Sequence, residues 1–558
     1  MKEKTCQLTG KVFQISQHEL DALKAFALPM PTLCPEERFR RALSFRPSKH
    51  FFLRECDATG ASIFSVFTPA APFPVYSVEY WQSAEWDPFS FGQPFDFKRL
   101  FVEQLLELWR KVPRPAAVFS NTTTSRVVHN VHDSVSCFLV FDSVRSEGCL
   151  YSDDLANCTE CIDSHRLTEC ELCYETVVSS HCRELRFCEH CHGCSDSWFL
   201  SNCRDCTNCL FCVNLTGKQF HIFNQPVSEE QYRTTLSELG LAARPLLELA
   251  RNRFADFIGT VQTPHVMMED SAEVSGNYLL RSSQCVACFE CEDCAQVFHG
   301  HNLRMAQNCF ECVLCEGIEE SAQSIGIVGG RHVLNSIDCR NVENIAYSTF
   351  CEDSADLFGC IALKNQQYCI FNRQFSKDDY AKLRDQIVRH MKDRNVWAAA
   401  LSTNLSGHAY NYSAAGENMP LTKIPAKMMG FNWDDSDRAL RPSDLLGDAE
   451  HEPEELYSDV PEHSEDVDLG KLGSTVYICS MSSKPFQLLP EEMALYRRLG
   501  LPPPAHCFEQ RHLERLSRLT PHALSSRNCS VSGEEILTAV PTKWKQPVVS
   551  TGNWADGL

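Results

Sequence analysis

From Val128 to Leu215 every third residue is Cys, Ser, Thr, Val or Leu, thirty positions in succession, and every cysteine inside those limits falls on the series. The residues between are largely polar or charged. A second stretch, Gly276 to Leu363, keeps the same period with Gly, Leu, Ser, Cys, Val, Ala and Ile. A strand alternates with period two, and an α-helix turns every 3.6 residues, so a three-residue stripe drifts around its surface within two turns. Long 3₁₀ helices are rare, and polyproline II needs Pro, or Gly at every axis position. The remaining reading is a β-solenoid in which each triplet points one side chain inward and two outward. Stacked at fifteen residues per coil, Val140, Leu155, Cys170, Leu185, Leu200 and Leu215 fall in one column, and Ser143, Cys158, Cys173, Cys188 and Cys203 in the next.

Two duplications organise the rest of the chain. Residues 6–81 and 479–554 align without a gap at an offset of 473, matching Cys6, Cys34 and Cys56 with Cys479, Cys507 and Cys529. Each copy reads as a Cys-x-x-Thr/Ser turn, a helix (near Gln17 to Ala25), a Pro-rich loop, a basic helix (near Glu36 to Leu43) and a second Cys turn. The solenoid is duplicated at an offset of 148. Phe223-Asn224 and Phe371-Asn372 close the two stretches, each followed by a helix capped by Ser228 or Ser376. An amphipathic helix carrying Phe97, Phe101, Leu105 and Leu108 is expected to cap the first coil. Helical residues near Pro245 to Ile258 join the two units.

The expected fold class is therefore mainly β: two Cys-rich triplet-repeat β-solenoids with short capping helices, flanked by a degenerate zinc-ribbon-like module at each terminus. The expected segments are 1–81 for the first module, 82–116 for an aromatic link and capping helix, and 117–240 for the first solenoid. A connector at 241–270, the second solenoid at 271–392 and an irregular segment at 393–433 follow. An acidic linker at 434–470 and the second module at 471–558 complete the chain.

Composition narrows the setting. No apolar run reaches eighteen residues, and Met1 to Gly10 lacks the hydrophobic segment of a signal peptide, so a cytoplasmic protein is expected. Thiols stay reduced there, and thirty-one cysteines then read as buried thiols or metal ligands rather than a disulfide framework. The net charge of −21 argues against nucleic acid as a partner, and no membrane partner is expected. Fourteen acids against Arg438 and Arg441 between Asp434 and Gly470 mark a disordered acidic linker or an acidic interaction tail.

Two sets of cysteines carry candidate chemistry. Cys188, Cys191, Cys203 and Cys206 contain Cys-x2-Cys pairs with zinc-like spacing. Against zinc, Ser, Thr, Val and Leu share their triplet slots, as expected of a slot that selects small apolar side chains. The run Cys285, Cys288, Cys291 and Cys294 lacks the wider gap and closing Pro of a ferredoxin cluster. The second set is Cys6, Cys34 and Cys56 with Cys479, Cys507 and Cys529. The second place of each pair there holds Thr9, Glu37, Thr59, Ser482, Gln510 or Ser532, so each module is either a zinc site or a metal-free relic. Zinc is the one cofactor that the residues suggest. His190, His192, His299 and His301 are expected on the solvated surface. No nucleophile elbow, phosphate-binding Gly loop, HExxH or paired-carboxylate motif is present.

The Cys6-x-x-Thr-Gly-Lys-x-Phe start, the Pro-rich stretch around Cys34 and Trp86-Asp87-Pro88 resemble a group of cysteine-rich proteins from candidate-phyla bacteria, often labelled CaiB/BaiF family. The Cys-x-x-Cys coils, the Phe-Asn-x-x-x-Ser caps and the segment Pro420 to Trp433 extend the resemblance over nearly the whole chain. That label would imply coenzyme A transfer on an α/β fold with a catalytic aspartate. The chain has no strand–helix alternation of that kind, so the activity is not carried over. Members of the group often hold full Cys-x2-Cys pairs in the terminal modules, where this chain has Thr or Ser. The functional expectation is a non-enzymatic scaffold that binds a protein partner. The alternatives are a zinc-binding or thiol-reservoir protein, and an enzyme with a site between the solenoid units.

Overall fold

Four triplets complete one coil. Phe141 pairs with His129, Asp153 with Phe141, His165 with Asp153 and Val177 with His165, always twelve residues apart and parallel. The fifteen-residue stacking is therefore corrected to twelve: Cys188 lies between Thr176 and Leu200 rather than between Cys173 and Cys203. The chain turns at the third residue of each triplet, which sits in the left-handed region. From Asn121 to Asn214 the non-glycine residues at these turns have φ between +48° and +59°. Asn, Asp and Gly tolerate that region best, and they recur there as Asn130, Asp133, Asp142, Gly148, Asp163 and Gly193. Val127 and Val178 adopt it despite their branched Cβ.

The computed structural model describes residues 2–25, 28–156, 158–169, 171–269, 343–398, 402–436 and 459–554, with isolated positions from 271 to 330 and the strand Glu455–Tyr457. Most of the second triplet series lies outside the described residues, including Cys285, Cys291, Cys294, His299 and His301. So does 437–454 of the acidic stretch. The last coils of the second solenoid, Glu343–Ala346, Ala355–Phe358 and Gln367–Ile370, keep the twelve-residue register. Each solenoid closes on its Phe-Asn cap. The Asn224 amide accepts from the Val213 N–H and donates to the Val213 carbonyl (both 2.9 Å), replacing the next coil for one residue. Asn372 does the same for Ile361.

The outward positions are not uniformly polar. Phe187, Phe199, Phe211 and Phe223 stack at ring-centroid distances of 4.8, 5.0 and 4.7 Å, forming an apolar ladder along one face. Phe254, on the helix Arg244–Ile258, packs on Phe199 and Phe211. The helix Phe101–Lys111 does not cap the first coil. It crosses to the second solenoid, where Phe101 packs against Tyr347, Phe358 and Phe371. Gly359 stands where the first ladder has Phe211. Its φ is +65°, and a Cβ there would meet the Phe371 ring at 2.7 Å, so the position stays bare beside Phe101.

The terminal modules match element for element. In the first, Lys2–Thr5 pairs with Val12–Ile15 and Phe52–Glu55 with Ser62–Ser65, around the helices Gln17–Ala25 and Pro35–Leu43. In the second, Tyr477 pairs with Phe486 and Ser525 with Thr538, in the same registers. Val75–Tyr76 adds a parallel strand to Arg114–Pro115 ahead of the first solenoid, and Val548–Val549 does so to Thr263–Pro264 ahead of the second.

Charge fixes where the modules dock. In the first solenoid the column that becomes the Phe ladder holds Asp163 and Glu175 just ahead of the rings. Asp163, fully buried, meets Arg511 and accepts from Arg515 at 2.8 Å, while Glu175 accepts from Arg518 at 2.7 Å. Burial opposes ionisation of Glu175, but Arg518, Arg251 and Arg515 outweigh it and hold the carboxyl below its usual range. The first module docks through Arg46 and Lys49, which contact Asp142 at 2.8 and 2.9 Å. Replacing Asp163 with Asn should cost about 3 kcal/mol or more in denaturant unfolding, because two buried guanidiniums lose the acid they share, leaving Arg511 only Glu492 (3.2 Å) and Arg515 only Glu175 (3.7 Å).

A second prediction concerns acid. His408 stacks on Phe67 at 4.8 Å, and burial, helped by Arg46, brings it down to about 3 from 6.5. The unfolded chain thus binds this proton at a higher pH than the folded one. The stability is complete above about 6.5 and is lost as pH falls towards 3. His408→Phe should flatten that part of the pH–stability curve, read by thermal unfolding across the range.

Candidate functional site: the thiol columns and a cleft between the solenoids

Each triplet makes two backbone bonds between coils. Thus Arg126 N–H donates to the Cys137 carbonyl and Ser136 N–H to the Thr123 carbonyl, both at 2.9 Å. Neither bond uses the N–H of the inward residue. That group turns to the side chain one coil earlier: Cys137 N–H donates to Ser125 Oγ (3.1 Å), Ser146 to Ser134 (3.0 Å), Cys191 to Ser179 (3.1 Å) and Cys360 to Ser348 (2.8 Å). Thiols serve the same slot. Cys149 Sγ takes the Cys161 N–H and donates to the carbonyls of Glu147 (3.4 Å) and Cys158 (3.6 Å). Small size alone therefore does not define the slot. It favours a side chain that can accept one amide and donate to a carbonyl, which Ser, Thr and Cys do.

The sequence candidates fall inside this scheme. Cys191 and Cys203 are stacked in one column, Cys206 lies in the neighbouring column, and Cys188 touches Cys191 from a third. Cys203, Cys206, Cys209 and Cys212 are the four inward residues of a single coil, all buried. Cys206 shares hydrogen bonds with Cys194, Cys203 and Cys209. Burial, with Cys188 next to it, pushes the Cys191 thiol well above its usual value. Among the described residues, no group of three or more His, Cys, Asp or Glu is placed to hold a metal ion. His190 is not solvated as expected: it is held inside the seam near Arg518, and burial brings it down to about 4. His192 bonds Ser180 at 2.7 Å.

In the terminal modules the three cysteines separate into a pair and a single. Cys6 and Cys34 are hydrogen-bonded, as Cys479 and Cys507 are held together through Ser482, 3.6 Å from Cys507 Sγ. Cys56 and Cys529 lie apart, accepting from the N–H of Ser77 (3.2 Å) and Ser550 (3.4 Å). All four turns share one backbone. The residue four beyond each leading cysteine (Gly10, Gly60, Ser483, Gly533) donates its N–H to the cysteine carbonyl at 2.8–2.9 Å. Burial would raise Cys6, but the Thr9 hydroxyl and the N–H groups of Cys34, Thr9 and Leu8 bring it to about 7. Glu36 in the first copy and Glu509 in the second, rather than Glu37 and Gln510, stand beside the pair, and each is taken by a lysine, Lys11 or Lys484.

Sequence reasoning missed a cleft of about 230 Å³ where the first coil of one solenoid meets the other solenoid. Trp81, Phe119 and Phe350 line it, the Trp81 and Phe350 rings meeting edge to face at 6.3 Å, with Ser120, His132, Glu352 and Asp353 around them. Ser120 Oγ and His132 Nδ1 are 2.7 Å apart. His132 and Glu352 are 220 positions apart in the chain, so no local pattern announces their meeting. Among the described residues, no helix is long and apolar enough to cross a membrane. No protein-family model matches the chain, and no curated protein matches it.

The interior scheme predicts an asymmetry at Cys149. Cys149→Ser keeps an acceptor for the Cys161 N–H and should cost about 1 kcal/mol or less, whereas Cys149→Val strands that amide and should cost roughly 1–3 kcal/mol. Denaturant unfolding of the two variants checks the order.

Proposed function

We propose that the chain is a non-enzymatic scaffold of the reducing cytoplasm whose solenoid faces bind a protein partner. One observation carries this reading. While one face of the first solenoid is covered by the modules and helices, another keeps Thr168, Glu169, His181, Arg204 and Asp205 exposed in the twelve-residue register, a flat polar surface. The described interior thiols are buried and engaged in hydrogen bonds, as a structural role requires. Neither nucleic acid nor membrane is a partner under this reading. The test is cross-linking in native cells with a Glu169→Lys/Asp205→Lys variant of unchanged thermal midpoint. A partner held by the wild type and lost by the variant supports the reading. Equal capture by both would sink it.

A zinc-binding or thiol-reservoir role is the second reading, and the paired Cys6–Cys34 and Cys479–Cys507 favour it. On this view the terminal modules are degenerate zinc ribbons, in which Thr9 and Ser482 stand in for a second metal-bound cysteine. Cys188, Cys191, Cys203 and Cys206, with Cys56 and Cys529, would be reserve thiols. Elemental analysis of protein purified without chelator separates the two. More than about two zinc ions per chain, with unfolding shifted by chelator, would replace the scaffold by a metal-dependent structure. The third reading, an enzyme with a site between the solenoid units, rests on the cleft.

A further inference from the structure

In the first terminal module two cysteines far apart in sequence meet under one surface turn. The Gln7 N–H donates to the Thr32 carbonyl at 2.9 Å, which ties the turn after Cys6 to the Pro-rich loop that ends at Cys34. Cys34 is the N-cap of the helix Pro35–Leu43, yet its side chain makes no capping bond there. Its thiol turns instead to Cys6 and to the Glu36 carboxylate. Cys6 Sγ accepts from the Thr9 hydroxyl and from the N–H groups of Cys34, Thr9 and Leu8. Donors gathered around one sulfur favour its negatively charged, nucleophilic form. Leu8, Thr9 and Thr32 are exposed, so the pair lies directly beneath the surface although both cysteines are themselves buried. We propose that Cys6 and Cys34 form a redox-active dithiol that a small hydroperoxide oxidises to a disulfide.

The Cys6 thiolate attacks the terminal oxygen of the hydroperoxide. The O–O bond breaks, the sulfur keeps the OH as a sulfenic acid, and the departing alkoxide (hydroxide, from hydrogen peroxide) takes a proton from water. The Cys34 sulfur then attacks Cys6 Sγ, and its proton leaves with the sulfenic OH as water. Two thiols have given up two electrons, and the peroxide has taken them. The solenoid thiols are placed differently. Cys149, for example, donates to the Glu147 and Cys158 carbonyls inside a rod closed by coils on either side. The second module supplies a contrast within the same chain. There the Ser482 hydroxyl bonds Cys479 and lies 3.6 Å from Cys507 Sγ, so an oxygen bridges the pair that is in direct contact in the first module. The proposal rests on neither functional reading, and a zinc ion held by the module would compete with it for the same two thiols.

The test treats the folded full chain, freed of reductant, with a small excess of hydrogen peroxide. Remaining thiols are blocked with N-ethylmaleimide at timed intervals, and the disulfides are mapped by mass spectrometry of unreduced peptides. The Cys6–Cys34 disulfide should appear roughly tenfold or more faster than any solenoid thiol is lost, ahead of a Cys479–Cys507 disulfide, and dithiothreitol should reverse it. Cys34→Ser removes the second sulfur, so the reaction should stop at the sulfenic acid and dimedone should label Cys6. The mapping of the wild type needs no variant to fold. The inference is overturned if Cys6 and Cys34 are both recovered as blocked thiols, whether inert or protected by a metal, or if solenoid cysteines or the second module oxidise first. Absence of the dimedone label on Cys6 in folded Cys34→Ser also overturns it. None of these results bears on the exposed polar face, so the scaffold reading stands or falls separately.

Discussion

The structure depends on one unsatisfied group per triplet, the inward amide. A chain that turns every third residue offers its neighbours two backbone bonds and leaves the third N–H pointing into a narrow interior where water does not reach. An amide stranded there costs roughly 1–3 kcal/mol. Where Ser, Thr or Cys fills the slot its side chain takes the amide, as Ser125 does for Cys137 and Cys149 for Cys161, whereas the Val and Leu slots, such as Leu155 and Leu167, lie in the strands, where inward residues pair in the ladder. Cysteine is one of the three residues that meet this need. A thiol fills more of the core than a hydroxyl and still accepts an amide.

The second constraint is exchange between the halves. The helix before the first solenoid packs on the second, and the helix before the second packs on the first, through Phe101 and Phe254. Each module in turn pairs its last strand with the segment that opens a solenoid, Val75–Tyr76 with Arg114–Pro115 and Val548–Val549 with Thr263–Pro264. The chain is built as an intramolecular dimer, its two copies intertwined as two subunits would be. Sites at the seams therefore come in pairs that need not stay alike. Phe350 in the cleft, for example, corresponds at the 148-residue offset to Asn202 in the tight polar seam.

Much of this was legible in the residues. Period three, both duplications, the Phe-Asn caps and the helices after Ser228 and Ser376 all stood in the pattern, because each is a local signal. Coil length was not read correctly, since the triplet period alone is compatible with any whole number of triplets. The leucines at 155, 185, 200 and 215 happen to favour fifteen. The decisive signal lay in the outward residues, in the twelve-residue spacing of Phe187, Phe199, Phe211 and Phe223 and the Asn or Asp at the turns. Crossing of the helix Phe101–Lys111 to the far solenoid, and the cleft, depend on tertiary contacts across hundreds of residues. Helical periodicity places apolar side chains on one side of a helix but does not name the surface they meet.

The buried acids at the head of the Phe ladder carry a consequence for synthesis. Asp163 is made early, and its partner Arg511 lies 348 residues further along the chain. At about 5–20 residues per second, roughly 20 to 70 seconds separate their appearance. Through that interval Asp163 stays without its guanidiniums, while the Phe ladder is covered much sooner by Phe254 and Arg251 of the helix Arg244–Ile258. The acid keeps its own stretch of the column hydrated and self-repelling until Arg511 and Arg515 arrive. A charge that serves as the lock of the finished molecule thus also guards the nascent chain against premature association.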